Sequence, residues 1–346
     1  MPASPLHVWV LSDNRPGHYN HSRGIVAALA GLRPIEQHWV NLDLRLGLAR
    51  NPMRLLLNHL ATPPPVGWLK LFYVMPALPQ APCDLVVSAG GRTSFANAWL
   101  ARRMKARNIF AGSLRRLSPA LFDVVLTLEP LRPAVPNNLV LDLPPSAVDV
   151  SQLRRDGLAL RAEQGLDGQA VWTMMLGGDG AGYRYRDKDW RQLAQLLERL
   201  GEEHGIRWLL VSSRRTGRAA ERLIGEGMDS RYVAASCWYR EDSAADGVAA
   251  CLGAADQVFV TEDSMTMLTE AIYSRRPVVS LRPAAVAPTS RYADMIGRFA
   301  AKGWICRYAI EELSTGRRTL GDSQCNVLET SPLSELSQQL AERLRL

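Results

Sequence analysis

The sequence lacks every common pattern of metal ligands. Its five cysteines are spread over 346 residues without a CxxC pair, which favours reduced thiols and disfavours both a disulfide framework and a zinc site. Its six histidines form neither HxxxH nor HExxH. We therefore expect no metal ion and no bound cofactor.

Long apolar runs and targeting signals are also missing. No run reaches the roughly 18 apolar residues that a membrane-spanning helix needs. The first five residues, Met1-Pro2-Ala3-Ser4-Pro5, lack the basic and then apolar order of a signal peptide. These two absences predict a cytoplasmic location.

Several signatures of nucleotide and nucleic-acid binding are absent too. No Gly-Lys-Ser/Thr closes a glycine-rich turn, which excludes a Walker A loop and makes ATP hydrolysis unexpected. No GxGxxG with an acidic residue about 20 positions later follows a first strand, which disfavours a dehydrogenase. No helix-turn-helix, RNP or zinc-finger pattern accompanies the basic charge, so nucleic acid is not an expected partner.

What the sequence does have is a globular composition and an uneven charge. Its length suggests about two domains, and 47% hydrophobic with 22% charged residues is typical of a globular protein. Residues 1–150 hold 15 Lys and Arg against 8 Asp and Glu, whereas residues 151–346 hold 26 of each. The net charge of +7 therefore lies in the first half, and this half is expected to bind an anionic partner.

Predicted strands and helices alternate along both halves of the chain, and strands repeatedly end in a turn that contains Gly or Ser. This alternation predicts parallel, doubly wound sheets. The predicted strands are residues 7–12, 37–42, 84–88, 108–112, 124–128, 170–176, 208–212, 257–261 and 278–281. The predicted helices include residues 22–32, one that ends near residue 106, and residues 151–164, 190–204 and 218–225.

The domain organisation follows from this repetition. We expect an α/β fold of two tandem Rossmann-like domains that face each other across a cleft, which is the architecture of GT-B glycosyltransferases. The first domain covers residues 1–145 and the second residues 169–346, with the less periodic residues 146–168 as a linker. The C-terminal helix is considered as an element that packs back on the first domain.

The segment after the strand at residues 257–261 is the most informative one. Its polar turn, Glu262-Asp263-Ser264, leads into a helix that carries Thr269 and Glu270. Open α/β sheets bind ligands beyond the carboxyl ends of their strands, and a helix N-terminus there attracts phosphate. Glu270 can accept hydrogen bonds from sugar hydroxyls. The alternative is an ordinary αβ unit with Ser264 as the N-cap and Glu270 in solvent.

Two other turns of the second half could also contact a nucleotide. Residues 177–183 are rich enough in glycine for the backbone to approach a pyrophosphate. Residues 212–216, Ser-Ser-Arg-Arg-Thr, offer hydroxyls and guanidinium groups at a strand end. The alternatives are a structural connection for the first turn and a helix cap in a solvated loop for the second.

The sequence Asp187-Lys188-Asp189 matches a DxD pattern, which holds a divalent ion in another glycosyltransferase fold. Here it opens a predicted helix, where acidic residues complement the helix dipole. The lysine between the carboxylates would also repel a cation. We therefore interpret it as a helix start.

Candidate catalytic residues follow the first strand. Asp13 and His18 flank the turn that contains Arg15 and Gly17. A histidine is a suitable general base for a hydroxyl nucleophile, and Asp13 could orient it or act in its place. The alternative is a histidine that only satisfies the backbone of the turn. Further polar groups follow two other strands, at residues 90–94 and 112–116.

Residues 55–78 mix apolar and aromatic side chains with Lys70, and Arg45, Arg50 and Arg54 precede them. Such a face could dock on an anionic bilayer. The alternative is that the segment belongs to the core.

Six short motifs, which follow one another along the chain, are similar to those of a known family. The chain resembles the bacterial relatives of the plant "elongated mitochondria" fission protein, which are classed with glycosyltransferases. The motifs are Ser12-Asp13 with Pro16-Gly17-His18, Gly90-Gly91-Arg92-Thr93-Ser94, Gly112-Ser113-Leu114-Arg115-Arg116, Leu176-Gly177-Gly178-Asp179, Ser212-Ser213-Arg214-Arg215-Thr216 and Val260-Thr261-Glu262-Asp263-Ser264. The resemblance implies a GT-B fold. The helix with Thr269-Glu270 also looks like the donor-binding helix of MurG-type transferases, whose glutamate contacts the nucleotide ribose.

Together these observations predict a metal-independent glycosyltransferase. The expected substrates are a nucleotide-sugar donor and an anionic or lipid-linked saccharide acceptor, such as an intermediate of lipopolysaccharide or cell-envelope biosynthesis. A peripheral contact with the inner membrane is a second hypothesis. The alternatives are a nucleotide-sugar epimerase of the same fold and a non-catalytic membrane-associated scaffold.

The predicted site residues form three groups. His18 and Asp13 are the expected catalytic pair. The expected donor contacts are Gly177, Gly178, Gly180, Tyr183, Ser213, Arg214, Asp263, Ser264, Thr269 and Glu270. The expected acceptor contacts are Arg15, Gly17, Arg92, Thr93, Ser94, Ser113 and Arg115.

Overall fold

A computed structural model describes residues 4–47, 50–239, 244–321 and 325–345 of the chain. The chain divides into two units. Unit 1 comprises Met1–Ala147 and Thr330–Leu346, and unit 2 comprises Val148–Glu329.

Unit 1 is built on a parallel six-stranded sheet. Its elements in chain order are β1 (Leu6–Ser12), α1 (Pro16–Ala30), β2 (Ile35–Asn41), β3 (Asp43–Leu44), α2 (Arg50–His59), α3 (Leu69–Phe72), β4 (Tyr73–Val74), β5 (Leu85–Ala89), α4 (Ser94–Met104), β6 (Arg107–Ala111), β7 (Val124–Thr127) and β8 (Asn138–Val140). The sheet order is β2-β1-β5-β6-β7-β8, and β3 pairs with β4 in a separate antiparallel ribbon. The central strands are buried on both faces, as a parallel sheet between helical layers requires.

Unit 2 repeats this architecture. Its elements are α5 (Val150–Glu163), β9 (Val171–Leu176), β10 (Tyr183–Arg184), α6 (Asp187–His204), β11 (Arg207–Ser212), α7 (Gly217–Glu226), β12 (Val233–Cys237), α8 (Ala244–Ala254), β13 (Gln257–Thr261), α9 (Met265–Tyr273), β14 (Val278–Arg282), β15 (Ala285–Val286), α10 (Ser290–Ala301), β16 (Cys306–Ala309) and α11 (Ile310–Ser314). The sheet order β12-β11-β9-β13-β14-β16 corresponds to 3-2-1-4-5-6 in order of appearance, the Rossmann arrangement. The expectation of two Rossmann-like units is confirmed.

The last helix, α12 (Pro332–Leu344), belongs to unit 1 although it follows unit 2 in the chain. It packs against α1, and Leu336, Leu340 and Leu344 enter the core beneath the sheet of unit 1. These leucines lie at i, i+4 and i+8, so they form one apolar stripe on the helix.

The segment expected to be a linker, residues 146–168, contains α5, and from Val148 onward it belongs to unit 2. This helix packs closely on α8 because Gly157 and Gly253 lie at their crossing. A Cβ atom at either glycine would overlap the backbone of the other helix. The apolar periodicity of residues 146–168 is weak because the contact between α5 and α8 is made by small residues. A search for regularly spaced large apolar residues therefore does not detect it.

The first helix begins six residues before its expected start at residue 22. Pro16 occupies the first helical position and Arg15 is the N-cap. Proline is favoured at the first position because its missing N–H is not needed there. Gly17 and His18 therefore lie in the first turn of α1 and not in a loop.

The expectation that all cysteines are reduced is wrong for two of them. Cys306 and Cys325 form a disulfide, with their Cα atoms 5.6 Å apart. Cys306 opens β16 beside β14, and Cys325 lies next to the carbonyl group of Val278 at the start of β14. The separation of 19 residues gives no recognisable spacing, so only the fold brings the two thiols together.

Among the described residues, no helix is both long enough and apolar enough to cross a membrane. Residues 55–78 were considered either as a membrane-docking face or as part of the core, and their side chains are partly buried and partly exposed. Leu57, Leu69 and Tyr73 are buried in the core of unit 1, whereas Trp68 and Leu71 are exposed.

Candidate functional site

In each six-stranded sheet, successive strands are first added on one side of the first strand and later on its other side. In unit 1 the point where the side changes lies between β1 and β5, and in unit 2 it lies between β9 and β13. Loops that leave such neighbouring strands run to opposite faces of the sheet and open a crevice at the carboxyl ends. The residues that follow these four strands are therefore the first candidates for ligand binding.

Asp13 and His18 form a hydrogen-bonded pair at this point of unit 1. Nδ1 of His18 lies 2.9 Å from Oδ2 and 3.0 Å from Oδ1 of Asp13. The side chain of Asp13 is fully buried, whereas that of His18 keeps 30% of its surface exposed. Burial alone would raise the pKa of Asp13, but the hydrogen bond and charge of His18, with help from Arg15, hold it below its ordinary value.

This contact determines which nitrogen of His18 can act as a base. An ionised carboxylate only accepts hydrogen bonds, so Nδ1 of His18 donates the proton to Asp13. The lone pair of the neutral ring is then on Nε2. A buried carboxylate that orients an imidazole in this way also stabilises the imidazolium that forms when Nε2 takes up a proton.

A second histidine, His21, lies three residues further along α1 and does not share this chemistry. Desolvation, together with the charge of His18, lowers the pKa of His21 to about 4. His21 is therefore neutral near pH 7. It is therefore not an imidazolium that could donate a proton to a substrate.

Gly90 lets the imidazole of His18 pack on the end of β5. Its φ angle is +87°, and a Cβ atom at this position would overlap the His18 ring. Gly91 has the same relation to Arg115, whose side chain occupies the space that a Cβ would take. The ends of β1, β5 and β6 thus bring Asp13, His18 and Arg115 to the two glycines.

Two of the predicted acceptor contacts have internal roles. The hydroxyl group of Thr93 donates to the carbonyl groups of Ala89 and Gly90, at 3.0 and 2.9 Å. The hydroxyl group of Ser94 donates to the carbonyl group of Gly91 at 3.3 Å, and both side chains are buried. These hydroxyls fix the turn after β5 and do not present a surface to an acceptor.

The other predicted acceptor contacts are more open. Arg15 is exposed, and its Nε lies 3.9 Å from Oδ2 of Asp13. Nη1 of Arg92 lies 3.5 Å from Oδ1 of Asp43, the first residue of β3. Ser113 is exposed. Gly17 is half-buried in the first turn of α1.

In unit 2, a buried carboxylate of the polar turn after β13, which is not among the expected donor contacts, organises the corresponding point. Glu262 directly follows β13 and forms a bidentate ion pair with Arg307, at 2.6 and 2.7 Å. Its carboxylate also accepts hydrogen bonds from Tyr183 at 2.8 Å and Ser280 at 3.0 Å. Burial would raise the pKa of Glu262, but Arg307 and these donors hold it below its ordinary value.

Asp263 is buried beside this network and pairs with Arg215. Burial raises the pKa of Asp263, because the attraction of Arg215 only partly offsets the loss of solvation. The amide of Gly178 donates to Oδ2 of Asp263 at 3.2 Å, and the amide of Gly177 donates to Oγ1 of Thr261 at 2.6 Å. Asp263 therefore joins the glycine turn to the loop that follows β11.

These bonds correct the role predicted for the glycine turn. The amides of Gly177 and Gly178 are taken up by side chains, and the amide of Gly180 donates to the carbonyl group of Tyr183. A Cβ atom at Gly178 would overlap the backbone of Arg215. The glycines are thus required for close packing between loops, and their amides do not present a cradle to a pyrophosphate.

Tyr183 also has a structural role in place of the predicted donor contact. Its side chain is buried and its hydroxyl donates to Glu262. Burial, together with the hydrogen bond to Glu262, raises the pKa of Tyr183, so the phenol stays protonated. Tyr183 supports the site from inside.

The loop after β11 leads into α7 and is held by hydrogen bonds of its own side chains. The amide of Ser213 donates to Oγ1 of Thr216 at 2.9 Å, and Thr216 donates in turn to the carbonyl group of Leu176 at 2.7 Å. Arg214 is exposed, whereas Arg215 turns towards Asp263. Thr216 and Arg215 are thus engaged by groups of unit 2, although Thr216 makes no cap hydrogen bond to α7, and the side chain of Arg214 is exposed.

Helix α9 begins at the carboxyl end of β13 as expected. Ser264 is its N-cap and accepts a hydrogen bond from the amide of Met267 at 3.4 Å. Thr269 is buried, and its hydroxyl has no hydrogen-bond partner within the described part of the chain. Glu270 follows it on the next position of the helix and is half-buried.

The Asp187-Lys188-Asp189 segment forms the start of α6, as interpreted from the sequence. Oδ2 of Asp189 accepts from the amide of Arg186 at 2.8 Å, and Oδ1 accepts from the amide of Ala284 at 3.2 Å. Asp189 is buried. Both of its oxygens thus cap backbone amides.

Comparisons with solved structures give the class of this fold. The chain is similar to the UDP-GlcNAc 2-epimerase of Neisseria meningitidis bound to UDP-GlcNAc, with 12% identity, a TM-score of 0.55 and coverage of 99% of this chain and 100% of that one. It is also similar to the UDP-GlcNAc 2-epimerase of Methanocaldococcus jannaschii in complex with UDP-GlcNAc and UDP, with 12% identity, a TM-score of 0.54 and 99% of each chain covered. For MurG of Acinetobacter baumannii the identity is 13%, the TM-score 0.50 and the coverage 99% of each chain.

These likenesses, at identities below 25%, show the fold: two Rossmann-like units of the GT-B type. The family follows from the sequence. The chain belongs to the family described as Mitochondrial fission ELM1, whose model matches residues 16–345. No curated protein sequence matches the chain significantly.

Proposed function

We propose that this protein is a glycosyltransferase that transfers a sugar from a nucleotide-sugar donor to a hydroxyl group of an anionic or lipid-linked saccharide. The Asp13–His18 pair is the observation that carries this proposal. Transfer to a hydroxyl requires a base that removes its proton, and a neutral imidazole held by a buried carboxylate is suited to that step.

The acceptor is assigned to unit 1. Nε2 of His18 takes the proton from the attacking hydroxyl while Asp13 stabilises the imidazolium. Arg15 and Arg115 supply positive charge near the pair, in agreement with the basic first half of the sequence. An anionic saccharide, such as a phosphorylated or lipid-linked intermediate of the cell envelope, has the charge that this surface attracts.

The donor is assigned to unit 2. Because the amides of the glycine turn are engaged, its binding rests on the N-terminus of α9, the open guanidinium group of Arg214 and the carboxylate of Glu270. The positive end of the helix dipole and Arg214 stabilise the diphosphate and the charge that develops as it leaves. Glu270 accepts hydrogen bonds from ribose or sugar hydroxyls.

A nucleotide-sugar epimerase is the second candidate, and the likeness to two UDP-GlcNAc 2-epimerases favours it. Such an enzyme changes its sugar nucleotide without any acceptor. A histidine–carboxylate pair would then move a proton on the sugar itself. The third candidate, a scaffold without activity, would keep the fold and bind no nucleotide.

One experiment separates the three. Thermal-shift screening of the full chain against nucleoside diphosphates and their sugar conjugates should show stabilisation by one nucleotide class, since a ligand at 100 times its Kd adds about 2.7 kcal/mol. The stabilising sugar nucleotide is then incubated with the protein alone, and the sugar is analysed by NMR. Consumption only after addition of a saccharide acceptor supports a transferase, and a changed sugar without acceptor identifies an epimerase. Absence of any stabilisation favours the scaffold.

A further inference from the structure

Three side chains of unit 1 that the proposed reaction does not use meet on one face of the sheet. In the parallel pair of β1 and β2, His7 is opposite Glu36, and Trp9 is opposite His38. Paired residues and residues two apart on a strand point to the same face. His7, Glu36 and His38 therefore share the face at the edge strand β2.

Their ligand atoms converge. Nδ1 of His7 lies 3.4 Å from Oε2 of Glu36, and Nε2 of His38 lies 3.3 Å from Oε1 of the same carboxylate. One ligand atom from each of the three side chains lies within 4.8 Å of the other two. Both nitrogen atoms are buried, and neither makes a hydrogen bond within the described part of the chain.

Two buried nitrogen atoms without hydrogen bonds are costly, because each loses its hydration without compensation. A metal ion removes this cost, since it coordinates the lone pairs of neutral imidazoles directly. Zn²⁺ is bound by imidazole nitrogen and carboxylate oxygen at about 2.0–2.2 Å, and two ligands of a tetrahedral ion at that distance are roughly 3.3–3.5 Å apart. The separations of 3.4 Å and 3.3 Å are of this length, but they involve different oxygens of Glu36, so they show that the ligand set lies within reach of one ion and not a formed tetrahedron.

We propose that His7, Glu36 and His38 bind a divalent transition-metal ion of the Zn²⁺ type. Two imidazoles and one carboxylate form a ligand set that zinc favours over Mg²⁺ or Ca²⁺, which prefer oxygen atoms alone. Three protein ligands leave a coordination position for water. Coordination requires His7 and His38 in the neutral form and Glu36 in the ionised form.

The site is separate from the Asp13–His18 pair. His7 is the second residue of β1, and Asp13 follows its last residue, so six residues of extended strand put them about 20 Å apart along the sheet. The ion would link the edge strand β2 to β1, which lies beside it in this sheet. Its expected effect is therefore on the stability of unit 1 and not on the proton transfer.

The test uses the full chain without an affinity tag, dialysed against a chelator and then titrated with ZnCl₂ in a calorimeter. We expect one tightly bound equivalent and a higher Tm with Zn²⁺ than without it. His7→Ala and His38→Ala should each weaken Zn²⁺ binding by at least about 100-fold, since even partners that only support a metal ligand are worth 10–100-fold. Glu36→Gln keeps the shape of the side chain and should also weaken binding.

His59→Ala is the matched control, because His59 is an exposed histidine of unit 1 at the end of α2. It should bind Zn²⁺ like the wild type. Circular dichroism establishes that each variant is folded, and Co²⁺ in place of Zn²⁺ gives a visible absorption band that reports on ligand number without reference to stability. Absence of a tight equivalent in the wild type overturns the proposal. Equal binding in His38→Ala, Glu36→Gln and His59→Ala overturns it too, since the ion would then lie elsewhere.

Discussion

Nδ1 of His18 lies 2.9 Å from Oδ2 of Asp13, and the carboxylate at the other end of this contact is completely buried. Asp13 is held by the fold and fixes the orientation of the imidazole, whereas His18 keeps part of its surface open to react. The first prediction follows from this division.

Replacing His18 by Ala should lower the maximal rate of sugar transfer by about 10²–10⁴, the usual contribution of a general base. The affinity for the donor nucleotide should stay nearly unchanged, because the donor is assigned to unit 2. Steady-state kinetics, with calorimetry for the nucleotide, measures both quantities.

Asp13→Asn is the companion variant. It keeps the size of the side chain but removes the charge that orients His18, so we expect a loss of rate of similar order. The exposed His59 again provides a control, and His59→Ala should retain wild-type turnover. Near-normal turnover in His18→Ala, combined with a complete loss in Asp13→Asn, would make Asp13 the base and His18 a structural residue of the first turn of α1.

The second prediction concerns Gly90. Gly90→Ala places a Cβ atom where the His18 ring lies and forces an alanine to adopt a φ of +87°. We expect a lower free energy of unfolding, by more than about 1 kcal/mol, and a rate close to that of His18→Ala. Gly67→Ala is the control, since a Cβ atom there meets no other atom within 4 Å. Urea denaturation and kinetics that fail to separate the two variants would contradict the contact between Gly90 and His18.

The third prediction uses the depressed pKa of Glu262. A carboxyl group with a lowered folded pKa contributes stability that is complete above the pKa of the unfolded chain and disappears as the pH falls towards the folded value. The wild type should therefore be more stable than Glu262→Gln at pH 7. This difference should shrink as the pH falls below about 4.5, the ordinary value for the group. Urea denaturation of both proteins between pH 7 and pH 3 gives the comparison.

Arg307→Ala should destabilise the protein as well, because it leaves the buried Glu262 with its hydrogen bonds but without its counter-ion. Arg307 is partly exposed, so we expect a loss of about 1.5–3 kcal/mol, as for a hydrogen bond to a charged group. Arg317→Ala removes an exposed pair with Glu311 and should cost less than about 1 kcal/mol. Equal losses in the two variants would show that burial of Glu262 does not matter.

The fourth prediction concerns the donor. Glu270→Ala should weaken nucleotide binding by about 1.5–3 kcal/mol, the contribution of a charged hydrogen bond, without unfolding the protein. Glu270→Gln should lose less, because the amide oxygen still accepts a hydrogen bond. Calorimetry that gives wild-type affinity for Glu270→Ala would remove this residue from the proposed donor site.

The fifth prediction concerns a membrane surface. Trp68 and Leu71 are exposed in a segment of unit 1 that also contains Lys70. We expect the protein to sediment with anionic liposomes at low salt and to be released as salt rises past about 0.15 M, where the Debye length is roughly 8 Å. Leu71→Ser should reduce binding, whereas Leu158→Ser, at a similarly exposed leucine of unit 2, should not. If the wild type ignores such liposomes at low salt, the membrane hypothesis is wrong.

The sequence was sufficient to predict most strands of the two six-stranded sheets. Apolar runs bounded by glycine and polar residues predict the strands, because a parallel strand must be apolar on both faces. The short edge strand β8 and strand β12, whose residues are only half-buried, escaped prediction for the same reason. The polar residues that follow β1, β5, β9 and β13 mark the carboxyl ends of the sheets, so Asp13, His18 and Ser264 could be selected by position alone.

The roles of the individual polar groups depend on contacts between residues that are far apart in the sequence. In the sequence, Gly177 and Gly178 resemble a phosphate-binding turn. In the structure, their amides donate hydrogen bonds to Thr261 and Asp263, more than 80 positions away. The role of Glu262 does not follow from the sequence, because its partner Arg307 is 45 positions distant. The disulfide and the cluster around His7 escaped for the same reason. The type of a residue and its neighbours in the sequence indicate which chemistry it could carry out. Which charges, thiols and histidines come together depends on distances in the folded chain, and the spacing of residues along the sequence does not give these distances.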